Sequence, residues 1–305
     1  MSSILLGAAA LGLIWSITTL GVFMTYRVLD IADLTVEGSI VFGAVTAAVA
    51  IQAGIHPVWA TLLAFVAGMT AGLGTAFLHI AMKIPSLLAG ILSMIALYSI
   101  NIRVMGGSSN VSLLRLSTVF SRLTEKMPKN TAVILVGGLV VILVVGLLYW
   151  FLGTEIGSAL RATGFNAQMA RAQGINTRLM TLMGYVLANG LVGLSGGLLS
   201  QYMGFADVQM GTGSIVIALA SLIVGEVIFA RKGGLLLSLF SMVLGSVVYR
   251  FIIAMVLEAG MPASDLKLFT AITVALALWL PHVKTKWSGR RKNNATTEGR
   301  CESVE

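Results

Sequence analysis

Long apolar runs separated by short polar ones dominate the chain. Runs of spanning length fall at about 4–26, 38–55, 58–82, 86–105, 131–153, 179–203, 214–229, 234–257 and 267–282. A helix needs roughly 20 apolar residues to cross a hydrocarbon core. Inside lipid the backbone must satisfy its own hydrogen bonds, so runs of this length are helices. The pattern predicts an all-α, polytopic membrane helical bundle of about nine spans. The run at 214–229 is short and the one at 38–55 leads into His56-Pro57, so a bent or broken span is expected at either. Small residues recur within several runs, as they do where helices pack closely in lipid. The first run contains Gly7-Ala8-Ala9-Ala10, but no basic segment precedes this patch and the apolar stretch continues past it. It reads as a retained span rather than a signal peptide.

One stretch breaks the pattern. Residues 154–178 form a polar island with Arg161, Arg171 and Arg178, and they repeat a phrase: Arg161-Ala162-Thr163-Gly164, then Arg171-Ala172-Gln173-Gly174. Asn166 is placed to cap a short helix, with Phe165 before it as a hydrophobic staple and Gly174 as the stop. Asn176 or Thr177 then caps the next helix, which is expected to begin near Leu179. A short helix lying across the membrane face is the result. Residues 106–130 form another long connection, with Leu113, Leu114, Leu116, Val119, Phe120 and Leu123 among basic and hydroxyl residues. Two readings fit it: an amphipathic segment resting on the surface, or a polar loop with a helical turn.

An internal repeat is also visible. Ala32-Asp33-Leu34 followed by Gly38-Ser39-Ile40-Val41 recurs as Ala206-Asp207-Val208 followed by Gly213-Ser214-Ile215-Val216, with one residue inserted. An odd number of spans separates the copies, so they fall on opposite sides of the membrane. Spans one to four then match spans six to nine in inverted orientation, the arrangement of transport proteins whose pathway lies at the repeat interface. Asp33, Gly38, Ser39, Asp207, Gly213 and Ser214 are therefore candidate pathway or repeat-junction residues. For the two aspartates, pairing with free backbone N–H groups at a helix start is the simpler role.

Composition agrees with the pattern: 57% hydrophobic, 10% charged and a mean hydropathy of +0.94, outside the range of soluble domains. A net charge of +8 raises nucleic acid as a partner. Much of it, however, lies in Lys284, Lys286, Arg290, Arg291 and Lys292, directly after the last apolar run. That placement reads as a cytoplasmic anchor against anionic lipid, so no nucleic acid is expected. The chain thus divides into a transmembrane domain, 1–283, and a basic cytoplasmic tail, 284–305. With the amino terminus outside, Arg27, Lys83, Arg161, Arg171, Arg178, Arg231, Lys232 and the tail fall inside. Arg115, Arg122, Lys126, Lys129 and Lys267 fall outside, and Arg103 and Arg250 are expected to snorkel from helix ends.

Little in the chain points to bond-making chemistry. Cys301 is the single cysteine, and His56, His79 and His282 lack ligand spacing, so no metal site and no cofactor are expected. No phosphate-binding G-x-x-x-x-G-K-[ST] loop occurs. Ser195 stands in Gly193-Leu194-Ser195-Gly196-Gly197, but a nucleophile elbow needs a strand–turn–helix around it, and this serine lies within a span without a paired His and acid, where helix packing accounts for it. Glu226 precedes Arg231 and Lys232 and reads as half of an interfacial ion pair, and Glu258 ends a span. Intramembrane carboxylates or histidines in series, the mark of proton-coupled carriers, are missing from the pattern.

Taken together, these residues resemble the permease subunit of ATP-binding-cassette importers, in the branch for branched-chain amino acids, ribose and related solutes. Asp33-Leu34-Thr35-Val36-Glu37-Gly38-Ser39 is similar to that branch's first-repeat signature. Leu160 through Asn166 and Ala170 through Asn176 resemble its coupling segment, and Gly204 through Gly213 its second-repeat signature. Where the branch often carries Gly-Gly near the end of the seventh span, this chain has Gly225-Glu226. The resemblance implies an importer subunit with no catalytic residues of its own, multi-pass in the cell membrane, with ATP hydrolysed by separate ATPase subunits. It implies ATPase coupling through Arg161, Ala162, Gly164, Asn166, Arg171, Ala172 and Gly174. It further implies a pair of permeases, since nothing in the sequence indicates a fused second half, and an extracellular substrate-binding protein. An amino acid is the implied substrate. A secondary, ion-coupled transporter shares the span count and repeat, and a membrane scaffold shares only the hydrophobicity.

Overall fold

The computed structural model describes residues 2–124, 127–229 and 234–258, with positions 268, 271 and 272 beyond them. Among the described residues, six helices are long and apolar enough to cross a membrane: α1, Ser2–Val22 with a π-helical continuation Phe23–Val28; α3, Pro57–Ile80; α4, Ser86–Val104; α6, Lys129–Gly153; α9, Thr177–Met203; and α11, Leu235–Glu258. Two shorter apolar helices, α2 (Val36–Gln52) and α10 (Ser214–Phe229), stand where a broken span was expected. These eight helices match eight of the nine apolar runs. The ninth, 267–282, and the tail lie almost wholly outside the described residues. Small helices α5 (Ser121–Thr124), α7 (Glu155–Phe165) and α8 (Ala167–Ala172) lie in the connections.

Glycine sets how closely the central helices approach. Gly72 of α3 lies against Tyr185 of α9, Gly68 against Asn189, and Ala64 against Gly193, so the two helices run antiparallel. Gly43 of α2 meets Gly193 on the same stretch. A Cβ at Gly43, Gly68 or Gly193 would overlap a neighbouring carbonyl oxygen. In lipid, where apolar burial does not drive helices together, such backbone proximity supplies the packing. On the other side, α1 runs along α11, with Gly12 against Val247 and the Ser246 hydroxyl donating to the Gly12 carbonyl at 3.0 Å.

The helix pairs follow the repeat. Matching spans one to four with six to nine makes α1 the counterpart of α9, α2 of α10 and α3 of α11. The α3–α9 pair then corresponds to α11–α1, and α2–α3 to α10–α11, and all four are principal interfaces.

At the end of the bundle away from α7 and α8, β1 (Asn110–Ser112) pairs antiparallel with β2 (Phe205–Asp207), Asn110 opposite Asp207 and Ser112 opposite Phe205. The 106–130 connection neither rests on the surface throughout nor stays polar. Val111, Leu113 and Phe120 are buried in the core, and the Val119 N–H donates to Gln201 Oε1 at 2.9 Å. Gln201 in turn donates through Nε2 to Thr61 at 2.8 Å, which fastens the connection to α3 and α9.

Two charged residues depart from expectation. Arg250 lies well inside α11, its guanidinium 4.5 Å from the ring centre of Trp15 on α1. A cation–π contact inside the bundle replaces the expected snorkelling. Glu226 does form an ion pair, but with Arg27 of the π-helical turn at 2.9 Å.

Candidate functional site

Two groups of residues carry the sequence features singled out above. The first is the polar island. It folds into two short helices rather than one. Thr154 caps α7 by accepting from the Gly157 N–H at 3.2 Å. Asn166, extended at φ −157°, closes α7 and opens α8, its Oδ1 accepting from the N–H groups of Gln168 and Met169, both at 3.0 Å. Gly174 takes φ +82°, and the Ile175 N–H then reaches back to the Ala170 carbonyl at 3.0 Å. This left-handed stop is the conformation glycine adopts without a Cβ penalty. Asn176 caps α9, which begins at Thr177, two residues before the expected start, through the Leu179 N–H at 3.2 Å.

Burial gives the island an inner and an outer face. Leu160, Thr163 and Ala170 are buried, and Gly164 rests on the α1 end, where a Cβ would overlap the Val28 carbonyl oxygen. Arg161, Arg171 and Ala172 are exposed, and Ala162 is half-buried. Arg161 donates to the Ser158 hydroxyl at 3.2 Å and Arg171 Nε to the Ala167 carbonyl at 3.2 Å, so each arginine is steadied on its own helix. Phe165 does not act as a staple. Its intended partner Ala170 points inward, and the ring is left 89% exposed at the α7–α8 corner. Behind α8 lies a groove of about 750 Å³, bordered by Asp30, His79, Asn166, Arg171 and Arg178.

The second group is the meeting point of the two repeat copies. Asp33 Oδ1 accepts from the Thr35 N–H at 2.9 Å, and Asp207 Oδ1 accepts from the Gln209 N–H at 2.8 Å. Each aspartate thus bonds the backbone two residues on, in a turn that leads towards its short helix. Their second oxygens also take equivalent partners. Asn189 Nδ2 donates to Asp33 at 2.7 Å, and Asn110 Nδ2 to Asp207 at 3.3 Å. The surroundings differ: Asp33 is buried within the bundle, whereas Asp207 is at the ribbon end.

Around Asp33 a buried polar network joins five elements. The Ser39 hydroxyl donates to Asn189 Oδ1 at 2.7 Å. Thr35 and Thr75 share a hydroxyl hydrogen bond of 2.8 Å, and Thr75 donates to Ser93 at 2.8 Å. Gly38 lies against Met94 and Leu97 of α4. Between the copies, Glu37 Oε1 accepts from the Gly213 N–H at 3.0 Å, and Gly211 packs against the Glu37 carbonyl. The starts of α2 and α10 therefore touch.

A family model described as "Branched-chain amino acid transport system / permease component" matches residues 4–287. The chain belongs to this permease family. A tyrosine transport system permease protein of Clostridioides difficile is 40% identical over 262 residues, covering 86% of each chain. The inner membrane ABC transporter permease protein YjfF of Escherichia coli is 29% identical, over 76% of this chain and 71% of its own. The autoinducer 2 import system permease protein LsrC of Yersinia pseudotuberculosis is 27% identical, over 67% of this chain and 56% of its own. No solved structure matches the chain. The permease is thus a multi-pass membrane protein and the permease subunit of an ABC importer.

Of the residues chosen from sequence, the permease gathers Asp33, Gly38, Ser39 and Gly213 around one junction and leaves Asp207 at the ribbon. Ser214, fully buried, follows Gly213 at that junction. Sequence reasoning missed Asn189, Thr75 and Gln201. Each is a polar residue within a span, and that alone was the available signal. It missed Phe165 as an outward knob as well, because the staple pattern gave the ring an inward partner.

Proposed function

We propose that two copies of this permease form the pathway of an ATP-driven importer for an amino acid, and that residues 154–178 couple it to two separate ATPase subunits. The carrying observation is the outward corner of α7 and α8, where Phe165 is 89% exposed with the exposed Arg161 and Arg171 on the helices either side. A lone phenylalanine this exposed, between steadied arginines, suits insertion into a cleft on a soluble partner. The arginines offer planar donors to acidic or carbonyl groups around that cleft. Gly164 and the buried inner face seat the corner on the end of α1, so force on the corner passes into the span that pairs with α11.

In this reading the α7–α8 end and the basic tail face the cytoplasm, in accord with the lysine and arginine bias. A substrate-binding protein delivers solute at the opposite end. ATP binding draws the ATPase subunits together, and the bundle passes between outward- and inward-open arrangements of similar energy. Likeness to the tyrosine permease supports an amino acid, of aromatic or branched-chain type, as cargo.

The test uses the assembled transporter in liposomes. Arg171→Glu combined with Gly174→Leu, and separately Phe165→Ala, should leave the permease inserted but reduce substrate-stimulated ATP hydrolysis at least about tenfold, the effect of losing about 1.4 kcal/mol or more at an interface anchor. Full stimulation in both variants would reduce the island to a topology signal.

A further inference from the structure

Glu37 is a carboxylate at a depth where lipid is a costly neighbour. Its flanking residue Gly38 lies against Met94 and Leu97, the middle of α4, and Ser39 bonds Asn189, the middle of α9. Glu37 is therefore at mid-depth in the bundle, yet it is only half-buried. An ionisable group at that depth faces protein or a water-filled space.

The local chemistry selects a ligand. The N-terminus of α10 favours an anion, but Glu37 already supplies one, its Oε1 accepting from the Gly213 N–H at 3.0 Å. A second anion would meet like charge. Oε2 has no hydrogen-bond partner among the described residues. Ser214, directly after Gly213, is fully buried with a hydroxyl that likewise has no partner among them. An open carboxylate oxygen with an unpartnered hydroxyl at the adjoining start of α10 suits a donor cation. Next to this point Thr212 and Val216 are exposed, and further along α10 the half-buried Glu226 pairs with Arg27.

We infer that Glu37 faces the solute pathway and receives the α-ammonium group of an amino acid in transit, with the Gly213–Ser214 start of α10 as the other side of the contact. The inference rests on the importer reading above. It assigns the first repeat's glutamate a recognition role in addition to its contact with the second repeat. Glu37→Gln keeps an oxygen for the Gly213 N–H while removing the charge, and so separates recognition from folding.

The experiment uses the full chain in liposomes with its ATPase and binding protein, in a Cys301→Ser background. Glu37→Cys is exposed to a water-soluble trimethylammonium methanethiosulfonate, with Ile142→Cys on the outer face of α6 as the lipid-facing control. Reaction at Glu37→Cys at least about tenfold faster than the control is expected, slowed by saturating amino acid. Glu37→Gln, in a monodisperse complex, should lower uptake of a mixture of radiolabelled amino acids about tenfold or more, the scale of a charge-assisted hydrogen bond. A labelling rate equal to the control, as under a second copy or lipid, overturns the placement in the pathway. Unchanged uptake by Glu37→Gln overturns the ammonium contact even if labelling succeeds. Failure of the unmodified assembly to move any amino acid would instead remove the importer reading, while the labelling result stands separately.

Discussion

Asn189 commits both ends of its amide to the same junction: Nδ2 to Asp33 at 2.7 Å and Oδ1 to the Ser39 hydroxyl at 2.7 Å. Asn189→Ala should therefore leave a carboxyl oxygen and a hydroxyl unpaired and destabilise the bundle by about 2–4 kcal/mol. Asn189→Asp, which sets a second carboxyl group against Asp33, should cost more. Thermal unfolding of the detergent-solubilised protein measures both, and an unchanged midpoint in either variant would show that the network adds nothing. The aspartates of this network were readable from sequence, because an Asp followed by a Gly-Ser pair at a short apolar segment has a local backbone role. Asn189 was not, because its partners lie more than 140 residues away in the chain.

Helix positions follow closely from the apolar runs, since length and hydropathy are local properties. Depth and crossing are not local. That α2 begins at mid-bundle, after an extended approach through Asp33, depends on where α4 and α9 stand. The polar island shows the same division: its caps at Asn166 and Asn176 act within three residues and were legible, whereas the outward turn of Phe165 depends on Ala170 packing inward. Glycines divide in the same way. Gly68 lies against the Asn189 carbonyl, but Gly146 on α6 has open space around its Cβ position. Gly68→Leu must push α3 off α9 and is expected to abolish the monodisperse peak on gel filtration, since overpacking commonly costs 1–3 kcal/mol and more against rigid backbone. Gly146→Leu should retain that peak, with helix propensity improved by up to about 1 kcal/mol. Equal behaviour of the two variants would refute the close α3–α9 approach.

At the scale of the whole molecule the repeat makes the fold a pair of interlocked halves, each lending a helix to the other through α3–α9 and α1–α11. The β1–β2 ribbon ties the halves at one end, for β1 follows α4 of the first half and β2 lies between α9 and α10 of the second. A pathway between such halves opens at that end only if the ribbon parts or shifts. Asn110 and Asp207 face each other across it, their side chains 3.3 Å apart at the hydrogen bond. Directly opposed positions of an antiparallel pair fall in the Cα range that a disulfide requires, about 4.4–6.8 Å. In a Cys301→Ser background, Asn110→Cys with Asp207→Cys should oxidise readily to a cross-link. Amino-acid uptake by the reconstituted importer should then fall to background and return on reduction. Each single-cysteine variant, which loses the Asn110–Asp207 bond without gaining a cross-link, controls for that loss. Undiminished uptake with the cross-link demonstrably formed would mean that the halves stay joined at the ribbon throughout transport, and that solute enters by another route.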